Sequence, residues 1–288
     1  MWPIMKITFR EMVSKRIFTI TILMSLAFLL FFGLATWFMA REVAANSTGN
    51  IVDFQLTKAL FSTQLLGMGL YFGSFITALL AILSSVGSIS SEVDSHQIDT
   101  WLARAMPRRT YLLGKFFGLA GLLAIYAILM FTGLIAINQW MSGGVMAVQL
   151  TTGQVLSGMG YFALLPIILV CVSLLMSSFT STVTGGIVLI ILYGIGFIGG
   201  FVEQLGTLIE QQAMINIGII SSLIFPTDSL FRQVTVSLFE SVDNPLSFAT
   251  QGIFGTTSPP SQAMIYYTIL YGAAALLLAM RIFQKRDV

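Results

Sequence analysis

Long uncharged runs broken by short polar clusters dominate the chain. The first lies between Ile17 and Ala40 and the second between Ala59 and Ser91. From Phe116 to Val202 no residue is charged. A single helix of that length would be roughly 130 Å long at about 1.5 Å per residue, against a hydrocarbon core of about 30 Å. It must fold back twice. Two clusters mark the breaks: residues 141–154 (MSGGVMAVQLTTGQ), rich in Gly and polar groups, and 177–186 (SSFTSTVTGG), rich in Ser, Thr and Gly. The pattern predicts spans at 17–40, 59–86, 112–140, 155–176, 183–202 and 262–281, within one all-α transmembrane domain over 1–288. The second run is longer than a bilayer needs, so its end projects beyond the lipid.

A shorter apolar run at 213–226 (AMINIGIISSLIFP) tests this count. It is too short for an ordinary span and suits a re-entrant or interfacial piece. Pro226-Thr227-Asp228 then reads as a helix start, with Leu230, Phe231, Val234 and Leu238 on one face of a short amphipathic helix. With six spans, eleven of the fourteen basic residues fall on one side: those of the N-tail, the 90–115 segment and the C-tail. The other side holds Arg41, Lys58 and Arg232 with seven of the twelve acids. Positively charged flanks stay inside, so both termini are expected in the cytoplasm and 203–261 on the outer face. A seventh span would move Arg281, Lys285 and Arg286 outside, against that rule.

Composition removes the soluble alternative. Hydrophobic residues make up 56% and charged residues 9%, and mean hydropathy is +0.90; a soluble surface needs roughly 25% charge. The N-terminal apolar run follows basic residues, as in a secretory signal, but it is long and lacks a small-x-small cleavage site, so it reads as a retained span. The one cysteine, Cys171, has no partner for an internal disulfide, and no Cys/His spacing suggests zinc.

Two polar segments carry the candidate chemistry. In residues 1–16, Trp2, Met5, Phe9, Met12 and Val13 share a helical face, with Lys6, Arg10 and Ser14 largely opposite. Such a helix lies in the membrane plane with its bases near anionic headgroups; the plainer reading is a basic flank that orients span one. The segment 90–115 (SSEVDSHQIDTWLARAMPRRTYLLGK) sets Ile98, Trp101, Leu102 and Ala105 at helical spacing, and Pro107 ends the stripe. An apolar stripe among charges suits docking into a partner's groove. A solvated loop, or a stripe resting on lipid, fits the pattern equally well.

The order acidic pair, Ile-Asp-Thr-x-Leu-Ala, Pro-Arg-Arg, Tyr-x-x-Gly-Lys, then a span resembles the permease subunits of type-2 ABC exporters. The matching positions are Glu92, Asp94, Ile98, Asp99, Thr100, Leu102, Ala103, Pro107, Arg109, Tyr111, Gly114 and Lys115. Many members carry a glycine near 96, where this chain has His96. The resemblance implies an N-terminal in-plane elbow helix, a cytoplasmic coupling helix within 90–110 and a re-entrant outer segment before the last span. It further implies that Glu92, Asp94, Ile98, Asp99, Trp101, Leu102 and Met106 couple to an ABC ATP-binding subunit. Arg108, Arg109 and Lys115 then sit at the membrane face. A second permease copy, identical or related, would meet spans one and five, with Gly196, Gly199 and Gly200 as dimer-face candidates. ATP and magnesium would be bound by the partner subunit, with no cofactor in this chain, which would be a cell-membrane protein and not itself an enzyme.

The residues agree with that division of labour. A phosphate-cradling loop needs GxxxxGK[ST], and Gly114-Lys115 lacks both the upstream glycine and the following hydroxyl. No nucleophile–base set or paired membrane carboxylate is legible. His96 reads as an ordinary surface or interface residue, Cys171 as inert packing, and the scattered methionines as no copper path. Gly69 and Gly73 have the spacing of a close helix crossing. An ion-coupled secondary transporter is the main alternative, but the six expected spans hold no carboxylate to carry the ion, and their charged residues, Lys115 and Arg281, stand at span ends. A non-transporting scaffold or immunity protein would leave the charged amphipathic segment unexplained. The uncharged spans point to a hydrophobic or amphipathic cargo.

Overall fold

The computed structural model describes residues 2–45, 51–96, 107–142, 147–239 and 259–285. Among them every regular element is a helix: α1 (Trp2–Ser14), α2 (Arg16–Ala45), α3 (Ile51–Ser85), α4 (Gly87–Asp94) and α5 (Arg108–Met141), then α6 (Thr152–Phe179), α7 (Thr182–Leu208), α8 (Gln212–Ile224), α9 (Thr227–Phe239) and α10 (Gln262–Lys285). Six stretches are long and apolar enough to cross a bilayer: Arg16–Ala45, Phe61–Asp94, Arg108–Met141, Thr152–Phe179, Thr182–Thr207 and Gln262–Lys285. The chain is an all-α, multi-pass membrane protein.

Local chemistry sets the helix ends. Thr151 and Gln154 form a capping box at the start of α6, and Ser181 accepts the Thr184 amide at the start of α7. Only Thr180 and Ser181 separate these two helices, so they run antiparallel. Pro107, extended at ψ 133°, precedes α5 without spending a backbone donor.

Van der Waals fit, more than the hydrophobic effect, holds helices together in lipid. The central helix α6 packs against α3, α5, α9 and α10, with Leu169, Val170, Cys171 and Leu174 in the core. Gly69 receives the Phe32 ring of α2 and Gly73 receives Leu134 of α5, so this pair of glycines closes contacts inside the chain. Outward faces are apolar: Leu30, Phe31 and Phe38 on α2, and Val183, Ile187 and Ile198 on α7, are exposed.

Helices α8 and α9 form a bent pair, turned through 108°. α8 runs back along α7, from Met214 beside Gly206 to Phe225 beside Gly196. α9 then leads to Leu238, packed on Gly158 near the start of α6. The start of α6 and the end of α7 lie at one end of the bundle, so the pair enters and leaves at that same end, opposite the termini. α9 is not amphipathic in its surroundings: Asp228, Arg232 and Thr235 are buried as fully as Leu230 and Val234. α7 also continues past 202, and Glu203 lies buried within it. The expectation that no carboxylate sits in a span fails here, because the helix outlasts the uncharged run.

Candidate coupling site

At the end of the bundle carrying both termini, α4 begins without a cap of its own. Its N-cap, Val86, offers no side-chain acceptor, and the first amides of a helix have no partner within it. Ser177, near the end of α6, supplies one: the amides of Ile89 and Ser90 donate to its Oγ at 3.0 and 2.9 Å. Ser90 Oγ also lies 2.7 Å from Thr182 Oγ1. The start of α4 is thereby tied to the α6–α7 turn.

The end of α4 is tied by charge. Lys115, two turns into α5 and only 3% exposed, contacts the carboxylate of Glu92 and stands 3.1 Å from Glu11 of α1. Lys15 meets the other Glu11 oxygen at 2.9 Å. Two carboxylates face two ammonium groups, so the cluster is neutral. Partial burial pushes the Glu11 carboxyl up, but Lys115 and Lys15 outweigh it and hold it below its ordinary value. Glu11's share of the tie is therefore fully present above the usual carboxylate range and is lost as pH falls through its lowered value. Thr8 and Met5 of α1 press on Gly118, whose missing side chain lets α1 lie this close to α5.

Across Pro107, the start of α5 is fastened to the end of α10. Arg108 Nη1 donates to the carbonyls of Phe283 and Gln284 at 3.4 and 3.3 Å, and Arg109 Nη2 donates to Gln284 Oε1 at 3.3 Å. Terminal helix carbonyls lack internal partners and favour cations. The Tyr111 ring stacks on Phe283 with centroids 5.9 Å apart. Segment 97–106 thus leaves from a root held to α1, α5 and α6 and returns to a root held to α10.

The expected site residues divide accordingly. Asp94 is exposed at the end of α4. Ile98, Asp99, Trp101, Leu102 and Met106 lie outside the described residues. Glu92 is buried in the root, where its carboxylate serves Lys115 and is not presented outward. Lys115 is likewise enclosed and ion-paired, and Arg108 and Arg109 reach α10. Gly196, Gly199 and Gly200 do not form an outer face. A side chain at these positions would collide with Phe225 O, Ser221 and Asp228, so they admit the α8–α9 pair against α7. His96, just after α4, takes φ +54°, the left-handed conformation that glycine adopts most freely.

Sequence reasoning missed Glu11, Ser177 and the buried trio Glu203, Asp228 and Arg232. The last had a faint signal, an isolated acid directly after the long uncharged run. Among the described residues no three His, Cys, Asp or Glu side chains are grouped to hold a metal ion. One protein family, described as ABC-2 family transporter protein, matches residues 2–288. No curated protein matches the sequence.

Proposed function

The chain belongs to the ABC-2 transporter family as a membrane permease, and on that premise we propose that it serves an exporter powered by a separate ATP-binding subunit. The observation that carries the proposal is the double fastening of segment 97–106, by Glu92–Lys115–Glu11 on one side and Arg108–Gln284 on the other. A segment fixed at both roots transmits force; a loose one dissipates it. The ATP-binding subunit, holding ATP and magnesium, docks on the Ile98–Trp101–Leu102 stripe, and its closure pulls α4 and α5 together with α1. That motion rocks the bundle against a second permease copy and opens a path between them. The outward apolar faces of α2 and α7 support such a pairing. The excess of basic residues at this end supports a cytoplasmic position for it in a cell-membrane protein.

The test is capture of the ATP-binding subunit by Trp101→Ala at matched membrane expression. Burying a large side chain is worth about 1.5–3 kcal/mol, and about 1.4 kcal/mol is a factor of ten. Binding should weaken at least tenfold, and the purified chain alone should hydrolyse no ATP. Unchanged capture would move the docking surface elsewhere. Ion-coupled transport gains one supporting observation, the buried Glu203, Asp228 and Arg232. Uptake or efflux driven by an ion gradient without ATP would favour it.

A further inference from the structure

Among the described residues, the buried charges beneath the α8–α9 pair do not balance. Glu203 grips the Arg232 guanidinium with both oxygens, Nη1 donating to Oε1 at 2.8 Å and Nη2 to Oε2 at 3.1 Å. Asp228 Oδ2 stands 2.9 Å from Arg232 Nε, an ion pair off the hydrogen-bond line. Arg232 is 3% exposed, Glu203 5% and Asp228 7%. Two carboxylates thus share one guanidinium. The first turn of α9 adds roughly half a positive charge, which leaves the group negative. The Glu11–Glu92 cluster at the other end has two lysines for two carboxylates, and needs nothing more.

Beside Asp228 lies a cavity of about 10 Å³, lined by Tyr71 and Ser74 of α3, Tyr193 of α7, and Thr227 and Phe231 of α9. Thr227 is 1% exposed and its Oγ1 has no hydrogen-bond partner. The cavity is of the order of one water-sized sphere, and its polar lining is all oxygen. Oxygen donors without nitrogen or sulfur suit hard cations. The titratable and charged groups around Asp228 are Tyr71 from α3, Tyr193 and Glu203 from α7, and Arg232 from its own helix; α6 presents Leu165.

We propose that this cavity binds one monovalent cation, a sodium ion or a proton, which neutralises Asp228 and locks the α8–α9 pair against α3 and α7. Asp228 supplies the charge and Thr227 an oxygen, while Gly200 leaves room for the carboxylate. The site does not depend on the docking of an ATP-binding subunit.

The experiment is thermal unfolding of the purified full chain in detergent, in sodium chloride or N-methylglucamine chloride, at pH 8 and pH 5. A bound sodium ion should raise the pH 8 midpoint by roughly 3 °C, the size expected at about ten times the dissociation constant for a chain of this length. A bound proton should instead raise the midpoint at pH 5 with no sodium effect. Either response should vanish in Asp228→Asn and also in Glu203→Gln, which removes the excess charge from the other side. Thr227→Val keeps shape and charge, and should weaken a sodium response at least tenfold in concentration while sparing a proton response. Parent protein indifferent to sodium and pH overturns the proposal. So does a response that survives in either Asp228→Asn or Glu203→Gln.

Discussion

Lys115→Met isolates the charge tie at the root of segment 97–106. Lys115 is 3% exposed, and its ammonium group is the one that meets Glu92. Glu11 keeps Lys15 at 2.9 Å after the change, so the loss falls mainly on Glu92, stranded in its buried position. Removing one member of a buried pair costs about 3–5 kcal/mol. Glu92→Leu alone should cost less, about 1–3 kcal/mol, because Lys115 still has Glu11 at 3.1 Å. Replacing both restores an apolar contact of similar volume and is often close to neutral. A double-mutant cycle should therefore return a coupling of at least about 2 kcal/mol. On a scale of roughly 2–4 °C per kcal/mol, the Lys115→Met midpoint should drop by about 6–20 °C and the double variant should recover most of it. Additive losses, or a Lys115→Met midpoint equal to the parent's, would refute the argument that Glu92 needs Lys115.

Gly199→Ala pushes α8 off α7 at Ser221; overpacking of this kind costs about 1–3 kcal/mol, so the thermal midpoint should fall while cross-linking of permease copies stays unchanged. Ser177→Ala leaves the buried amides of Ile89 and Ser90 without their acceptor, a loss of about 1–3 kcal/mol that hydrogen exchange should localise to the start of α4. His96→Gly relieves a left-handed φ of +54° and should stabilise by about 0.5–1 kcal/mol, measured as a higher midpoint.

Six spans were legible because a run such as Ile17–Ala40 announces itself by composition, and helix is the geometry that satisfies its backbone in lipid. Their depth was less so. The uncharged run stops at Val202, but α7 continues to Leu208, since Glu203 finds its counter-charge on Arg232, 29 residues away. Nothing local records that pairing. The pattern of α9 misled for the same reason: Asp228 and Arg232 look like a solvent face until α7 supplies Glu203. Lys115 read as a membrane-flank base because Glu11 and Glu92 arrive from two other elements. The Gly196–Gly200 spacing shows that a close approach occurs, but not which helix makes it. The left-handed φ at 96 is the conformation that a glycine, expected there from the family resemblance, adopts most freely.

The Glu203–Arg232 pair also constrains how the chain is made. Glu203 leaves the ribosome 29 residues before the guanidinium that neutralises it, a delay of roughly 1.5–6 s at about 5–20 residues per second. Glu203 stands near the end of α7, where a carboxylate costs less in insertion than the about 2.5–3.5 kcal/mol it would cost at a helix centre. During that interval the end of α7 carries a carboxylate whose counter-charge does not yet exist. The packing of α7 on α9 is therefore completed late in synthesis, after Arg232 is made.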